Sequence, residues 1–297
     1  MKSFLKIKFI YLLPFFLLLF QKVNGQDFEV APVMLEYSAE PGDNQTKIIT
    51  VKNHSNVKAS FVIALADFMP SSTGEKDIMA PNSTKRSCAN WLNINPSFFE
   101  LNSGDEITIQ IGMMVPNDQF SAAWCMLFIQ PTREQTTWSV DKNLGAGVTV
   151  SGRISVLIYQ SPKSNNNHSL KISNMTEITK SGDNNRAFSA TIENLGDKIT
   201  KCKAYLIASN IKTAEEKEFK PLEFETFPKM SRTIELVLPN ELKAGSYSLA
   251  TIVDYGPKYS LEGTQIIIEV KDQASIAKPD TSVIKKDIIQ TDTLKVR

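Results

Sequence analysis

The chain has 297 residues, 33 of them basic and 32 acidic, for a formal net charge of +1 with no long run of one sign. That balance excludes the clustered positive charge that binding to nucleic acid or to an anionic membrane surface requires. The length suits two ordinary domains, each able to bury its own core.

In chain order, the first element is a leader. Lys2, Lys6 and Lys8 precede an uncharged apolar run over residues 9–20, and Val23-Asn24-Gly25 places tolerated residues at the −3 and −1 positions of a cleavage site. The pattern predicts a secretory signal peptide over residues 1–25. The run is shorter than the roughly 20 apolar residues a membrane span needs, and Pro14 interrupts it. No later segment approaches a transmembrane span and no cysteine stands at Gln26 to take a lipid, so the mature chain is expected to be exported without an anchor.

From there the chain reads as strands. Segments 46–52, 59–65, 106–115, 148–159, 188–192, 232–238 and 247–253 alternate or run apolar over strand lengths, rich in β-branched and aromatic residues. Turn clusters such as Pro41-Gly42-Asp43-Asn44, Asn102-Ser103-Gly104-Asp105 and Ala244-Gly245-Ser246 separate them. Many short antiparallel strands at this spacing predict β-sandwiches. A weak repeat predicts two of them: TVKNHSN (50–56) is echoed by TIENLGD (191–197), and ITIQIGMMVP (107–116) by RTIELVLP (232–239), in the same order. The boundary is placed in SPKSNNNHS (161–169), whose composition suits a linker. The expected organisation is a first domain over 26–162, a second over 163–270 and a flexible tail over 271–297, which holds Pro279 and no sustained periodicity.

Little in the chain promises chemistry. The two histidines, His54 and His168, sit in polar turn-like stretches without ligand spacing, and no G-x-S-x-G, phosphate-cradling glycine loop or C-x-x-C occurs. Glu215-Glu216 lies in KTAEEKEF, a stretch that reads as a solvated face. These features predict a non-enzyme with no metal and no cofactor. Asn-x-Ser/Thr sequons at Asn44, Asn53, Asn82, Asn167 and Asn174 are what chance supplies in a chain rich in these residues. Three cysteines cannot all pair within one chain; Cys88–Cys125 is the candidate disulfide within the first domain, and three buried thiols are the alternative. Trp91 and Trp124 lie in or beside apolar strands and are expected in the sandwich core, whereas Trp138 follows a polar stretch and is either a packing anchor or a binding contact.

The order of segments over 27–270 resembles the PapD-like superfamily of periplasmic pilus chaperones. The resemblance rests on ITVKN (49–53), WLNINPSFFELNSGDEITIQI (91–111), VPNDQFSAAWCMLFIQP (115–131), GVTVSGRISVLIYQSP (147–162) and LKAGSYSLATIVDYG (242–256). It implies an all-β protein of two immunoglobulin-like β-sandwich domains in tandem. It also implies a periplasmic location, with the cell surface second, and a pilin- or adhesin-like protein client, with an outer-membrane assembly protein as a further partner. In that family the long last strand of the first domain completes a client sandwich that lacks one strand, a form of β-augmentation. Here Val148 and Val150 fall on the donor positions, with Ala146 a third. The family anchors the client's terminal carboxylate with an arginine from the first strand and a lysine from the last. In this chain the first-strand position falls at Val33 or Met34 and the last-strand position at Ser155, with Arg153 two residues earlier, so at most one cation remains. Arg153 is read either as that anchor or as marking a bend where Gly152 flips the strand's alternation, and Ile154, Val156 and Ile158 as the part held in the domain's own sandwich. The reading from another class is a structural or adhesive surface protein that uses the sandwiches as spacers.

Overall fold

The structure, a computed structural model, describes residues 27–132, 152–256 and 261–271. The expected signal peptide, the expected tail beyond Lys271, Trp138 and the donor positions Ala146, Val148 and Val150 lie outside the described residues. The chain divides into two compact units, Met1–Met69 with Lys76–Asn166, and Pro70–Glu75 with Asn167–Arg297. Among the described residues both are β throughout, apart from a single 3-10 turn at Ala89–Trp91. Each is a sandwich of two sheets, as the alternating segments require.

The first unit contains β1 (Phe28–Ala31), β2 (Met34–Tyr37), β3 (Asn44–Asn53), β4 (Ala59–Pro70), β5 (Lys76–Met79), β6 (Leu92–Asn95), β7 (Phe98–Leu101), β8 (Glu106–Met114), β9 (Ala123–Thr132) and β10 (Ile154–Gln160). One sheet runs β1-β3-β8-β6; the other runs β2-β10-β9-β4, with β5 and β7 each paired to β4. Side chains two apart share a face of a strand. Ile49 and Val51 of β3 and Ile109, Ile111 and Met113 of β8 therefore project into the same core as Cys125, Leu127 and Ile129 of β9 and Val156 and Ile158 of β10. The opening strand serves both sheets: β1 pairs antiparallel with β3, and beyond Pro32-Val33 the chain continues as β2, parallel to β10.

Strand β9 is buried on both faces. Its odd residues enter the core, while Trp124 (1 % exposed), Met126 (5 %) and Phe128 (6 %) point the other way and are still covered. A continuous apolar run such as AWCMLFI is what double burial demands, but the run does not say which residues meet the opposite sheet. The expectation for Trp124 is corrected accordingly: it lies on the face away from the sandwich core, its ring centroid 6.5 Å from that of Phe68 and its Nε1–H donating to the Phe68 carbonyl at 3.0 Å. Trp91 is half-buried and packs against the core as expected.

The cover over Trp124 is held by a buried carboxylate. Strand β4 pairs with β9 only as far as Ala66↔Met126; beyond that, Ser87 bridges Trp124 in parallel, and the Trp124 N–H donates to the Arg86 carbonyl at 2.8 Å. Asp67, fully buried, fixes this segment. Its Oδ2 accepts the backbone N–H groups of Ser83 and Thr84, each at 2.9 Å, and its Oδ1 accepts the Ser87 hydroxyl at 2.6 Å. Three donors to one carboxylate offset the cost of taking the charge out of water.

The second unit contains β11 (Leu170–Glu177), β12 (Arg186–Asn194), β13 (Thr200–Asn210), β14 (Glu216–Glu218), β15 (Leu222–Thr226), β16 (Ser231–Leu238), β17 (Gly245–Asp254) and β18 (Glu262–Val270). Its sheets run β11-β12-β16 and β14-β13-β17-β18, with β15 also paired to β13. Ile172, Phe188, Ile192, Leu206, Ile234, Leu236, Leu249 and Val253 make up much of its core.

The sequence echo has a structural meaning. Asn53 and Asn194, the asparagines of TVKNHSN and TIENLGD, end equivalent strands and are both fully buried. Each Nδ2 donates to its own turn (Val57 O, 2.9 Å; Lys198 O, 2.8 Å) and to a second strand or its end (Leu101 O, 3.1 Å; Thr226 O, 3.3 Å). Each Oδ1 accepts the N–H two residues on, from Ser55 and Gly196, at 3.0 Å. Their main chains are bonded alike, to Asp105 and Gly104 in one unit and to Met230 and Lys229 in the other. An asparagine satisfied on every side closes the same corner twice.

Candidate functional site

The candidate site is the entry to β10. The strand begins at Ile154, opposite Ile129 of β9; Ile154 packs against the core, and Val156 and Ile158 are wholly buried in it. Its other edge is paired with β2, but β2 starts opposite Leu157, whose N–H donates to the Val33 carbonyl at 2.9 Å. Leu157 and Ser155 have the same parity, so the outward backbone groups of Ser155 lie where β2 has not yet begun. Among the described residues, the outer edge of Arg153–Val156 has no strand partner.

Arg153 and Ser155 are exposed on the same face as Phe128. Ser155 stands directly opposite Phe128 in register, and the Arg153 guanidinium lies 4.1 Å from the Phe128 ring centroid. That distance is within the range of a cation–π contact, which orients the planar head while leaving its N–H groups at the rim able to donate. The flip of alternation expected at Gly152 turns on residues up to 151, which lie outside the described residues. Downstream of it the alternation is regular: Arg153 shares a face with Ser155, and Ile154, Val156 and Ile158 face the core. A side chain at Gly152 would meet open space, and its φ lies outside the left-handed region that calls for glycine.

The first-strand position of the expected clamp is occupied by apolar side chains. Val33 is 54 % exposed and Met34 half-buried, both at the joint between β1 and β2. Residues 27–37 contain no lysine or arginine.

The other singled-out residues are dispersed. His54 Nε2 meets Glu29 Oε2 at 2.9 Å on the surface, and His168 is half-buried, its pKa lowered by burial and then by Lys198. Glu216 is exposed on β14 and accepts the Ser209 hydroxyl. Cys88 and Cys125 are free, fully buried thiols with their sulfurs 3.3 Å apart. Cys202 is a free buried thiol in the second core, its pKa pushed up to about 11, chiefly by burial. Among the described residues no group of three or more His, Cys, Asp or Glu is placed to hold a metal ion, and no helix is long and apolar enough to cross a membrane. Sequence reasoning passed over Asp67 and Phe128. A lone acid inside the apolar stretch ALADFMP was the available signal for Asp67; Phe128 carried none, because its role depends on cross-strand register.

No family model matches the chain, and no curated protein matches it. Solved structures do. The chain is similar to a chain of a chaperone–tip adhesin complex of CFA/I fimbriae biogenesis, at 14 % identity and a TM-score of 0.48, over 82 % of this chain and 98 % of that one. It is similar to the class 5 fimbriae chaperone CfaA at 13 % identity and a TM-score of 0.45, over 82 % and 99 %. It is also similar to a chain of the Salmonella enterica SafA pilin–SafB chaperone complex at 10 % identity and a TM-score of 0.41, over 82 % and 98 %.

Proposed function

We propose that this chain is an exported, periplasmic, non-catalytic chaperone that captures a pilin- or adhesin-like protein client by strand donation from Ala146, Val148 and Val150 into the start of β10. The observation that carries the reading is the stretch Ile154–Val156, paired to β9 on one edge and, among the described residues, without a strand partner on the other. An unpartnered edge next to an apolar alternating segment is a template for an added strand. In sequence Val148 and Val150 share parity with Ile154 and Val156, and Ile154 is the first described residue paired to β9. On this proposal their side chains enter a client groove, where each valine contributes on the order of 1.5 kcal/mol. Arg153, steadied by Phe128, receives a client carboxylate, with the Ser155 hydroxyl as a second donor. With Val33 and Met34 apolar, the two-cation clamp of the resembled family is replaced by this single cation. The outer-membrane assembly partner belongs to the same proposal and follows from the client's class.

The test is comparative co-purification of tagged chain from the native cell envelope, read by mass spectrometry. Val148→Asp with Val150→Asp should keep the unfolding transition of the parent and lose the client, and Arg153→Ala should weaken capture by roughly tenfold, the scale of one charge-assisted contact. A double variant that fails to fold would place the valines in the chain's own core and end the donor reading. A folded double variant that retains its partner would favour the spacer alternative.

A further inference from the structure

We propose that Cys88 and Cys125 are joined by a disulfide in the mature protein, tying the loop anchored by Asp67 to the central strand β9. The register brings them together. Ser87 and Trp124 form a parallel bridge, so the next residue on each chain, Cys88 and Cys125, is again a facing pair. Their side chains turn to the same side, away from Trp124 and into the sandwich core, where the sulfurs stand 3.3 Å apart and fully buried. The remaining cysteine, Cys202, is buried in the other unit's core among Ala204, Phe224 and Val253, so it does not compete for either partner in the folded chain.

The chemistry is a two-electron oxidation. The two thiols together give up two protons and two electrons to a low-molecular-weight or protein disulfide, which is reduced to two thiols. One protein thiolate attacks that oxidant and forms a mixed disulfide with release of the first thiol; the second protein sulfur then displaces the other thiol and closes the bridge. Burial holds Cys88 well above the usual thiol range, so the thiolate is scarce once the core has formed. The exchange therefore belongs to the folding chain, before Asp67 secures residues 83–87, and the finished bridge is shielded from reductant by the same packing.

The experiment is independent of export and of any client. The chain is denatured, reduced, and refolded in a buffer of oxidised and reduced glutathione, then denatured again in iodoacetamide. Mass spectrometry should find the loss of two of the three alkylatable thiols, with Cys202 alone modified, and a non-reducing digest should yield a linked Cys88–Cys125 peptide. Cys202→Ala should retain the link, and Cys88→Ala should leave Cys125 alkylatable. Three alkylated cysteines at equilibrium, a linkage that includes Cys202, or loss of the link in Cys202→Ala would overturn the proposal.

Discussion

The next-to-last strands of the two units, β9 and β17, occupy the same place in their sheets and are treated differently. Each pairs with the last strand on one side and with β4 or β13 on the other. In β17 the core-facing residues Tyr247, Leu249, Thr251 and Val253 alternate with half-buried Ser248, Ala250 and Ile252, the one-sided pattern of a sandwich sheet with solvent behind it. In β9 the outward residues are as deeply buried as the inward ones. The first unit has added a second layer, made of Phe68, the 83–87 segment and its Asp67 anchor, Arg86 over Trp124, and Arg153 over Phe128. The last strands differ too: Ile267 of β18 is 73 % exposed, whereas β10 is paired on both edges from Leu157 onward. The strand proposed to lend its edge thus rests on a neighbour gripped from both faces, while the second unit keeps the simpler sandwich. A platform for strand addition has to resist the pull of the strand it adds to, and double burial supplies that resistance.

Breaking the outer layer should have the largest effect. Trp124→Ala is expected to destabilise the first unit by roughly 3–5 kcal/mol, the range for a fully buried aromatic. Ile252→Ala, at the outward position of β17, should cost the second unit only about 1 kcal/mol. The described tryptophans, Trp91 and Trp124, belong to the first unit, so in the Ile252 variant and the parent urea unfolding followed by tryptophan fluorescence reports that unit, and reaction of Cys202 with a thiol reagent reports the other. Equal costs would mean that the second face of β9 is covered without being held. In the Trp124 variant, Trp91 remains as the probe among the described residues.

The shared asparagine sharpens what the two units have in common. Asn53→Ala and Asn194→Ala should each cost about 2–4 kcal/mol, because each leaves several buried backbone groups without a partner, and each should act on its own unit. A neutral result in one unit would show that the echo is formal there. Asp67→Ala should cost the first unit about 2–3 kcal/mol and make Cys88 accessible to alkylation in reduced protein, with the transition of the second unit unchanged. Hydrogen exchange at the Ser83 and Thr84 amides checks that assignment directly.

The smallest effect is the pH dependence that Glu177 gives the second unit. Arg186 bonds Glu177 through Nε at 2.8 Å and Nη2 at 2.7 Å, which holds the carboxyl below its ordinary value of 4.5. A depressed folded-state pKa contributes stability that is present above the unfolded value and lost as pH falls through the folded one. The second unit should therefore weaken below about pH 4.5, by no more than about 1 kcal/mol after solvent screening. Glu177→Gln should remove that part of the slope in acid titrations of the thermal midpoint.

The strands and the two-sandwich plan were readable because β periodicity and turn residues are local properties. Ile49, Val51, Ile109 and Ile111 announce a buried face by their spacing alone. The asparagine echo was readable as a repeat, although its cause, a corner that only a donor-and-acceptor side chain closes, required the fold. The expected place of Trp124 in the sandwich core does not hold because an unbroken apolar run carries no phase. Arg153 could be singled out by its place beside the first-strand and last-strand landmarks, but its contact with Phe128 depends on the pairing Ser155↔Phe128, which no single stretch of sequence encodes.

The split opening strand also shapes how the first unit bears force. Strand β2 comes early in the unit's chain and β10 late in it, and the two pair in parallel. Tension applied between the two ends drags these strands past each other along their axes. Their evenly spaced hydrogen bonds then share the load in shear and must fail together, unlike the bonds of a hairpin peeled open from its tip. A subunit-handling protein anchored at one end and pulled at the other would yield last at Met34–Tyr37 against Leu157–Gln160, immediately downstream of the edge where its client is proposed to bind.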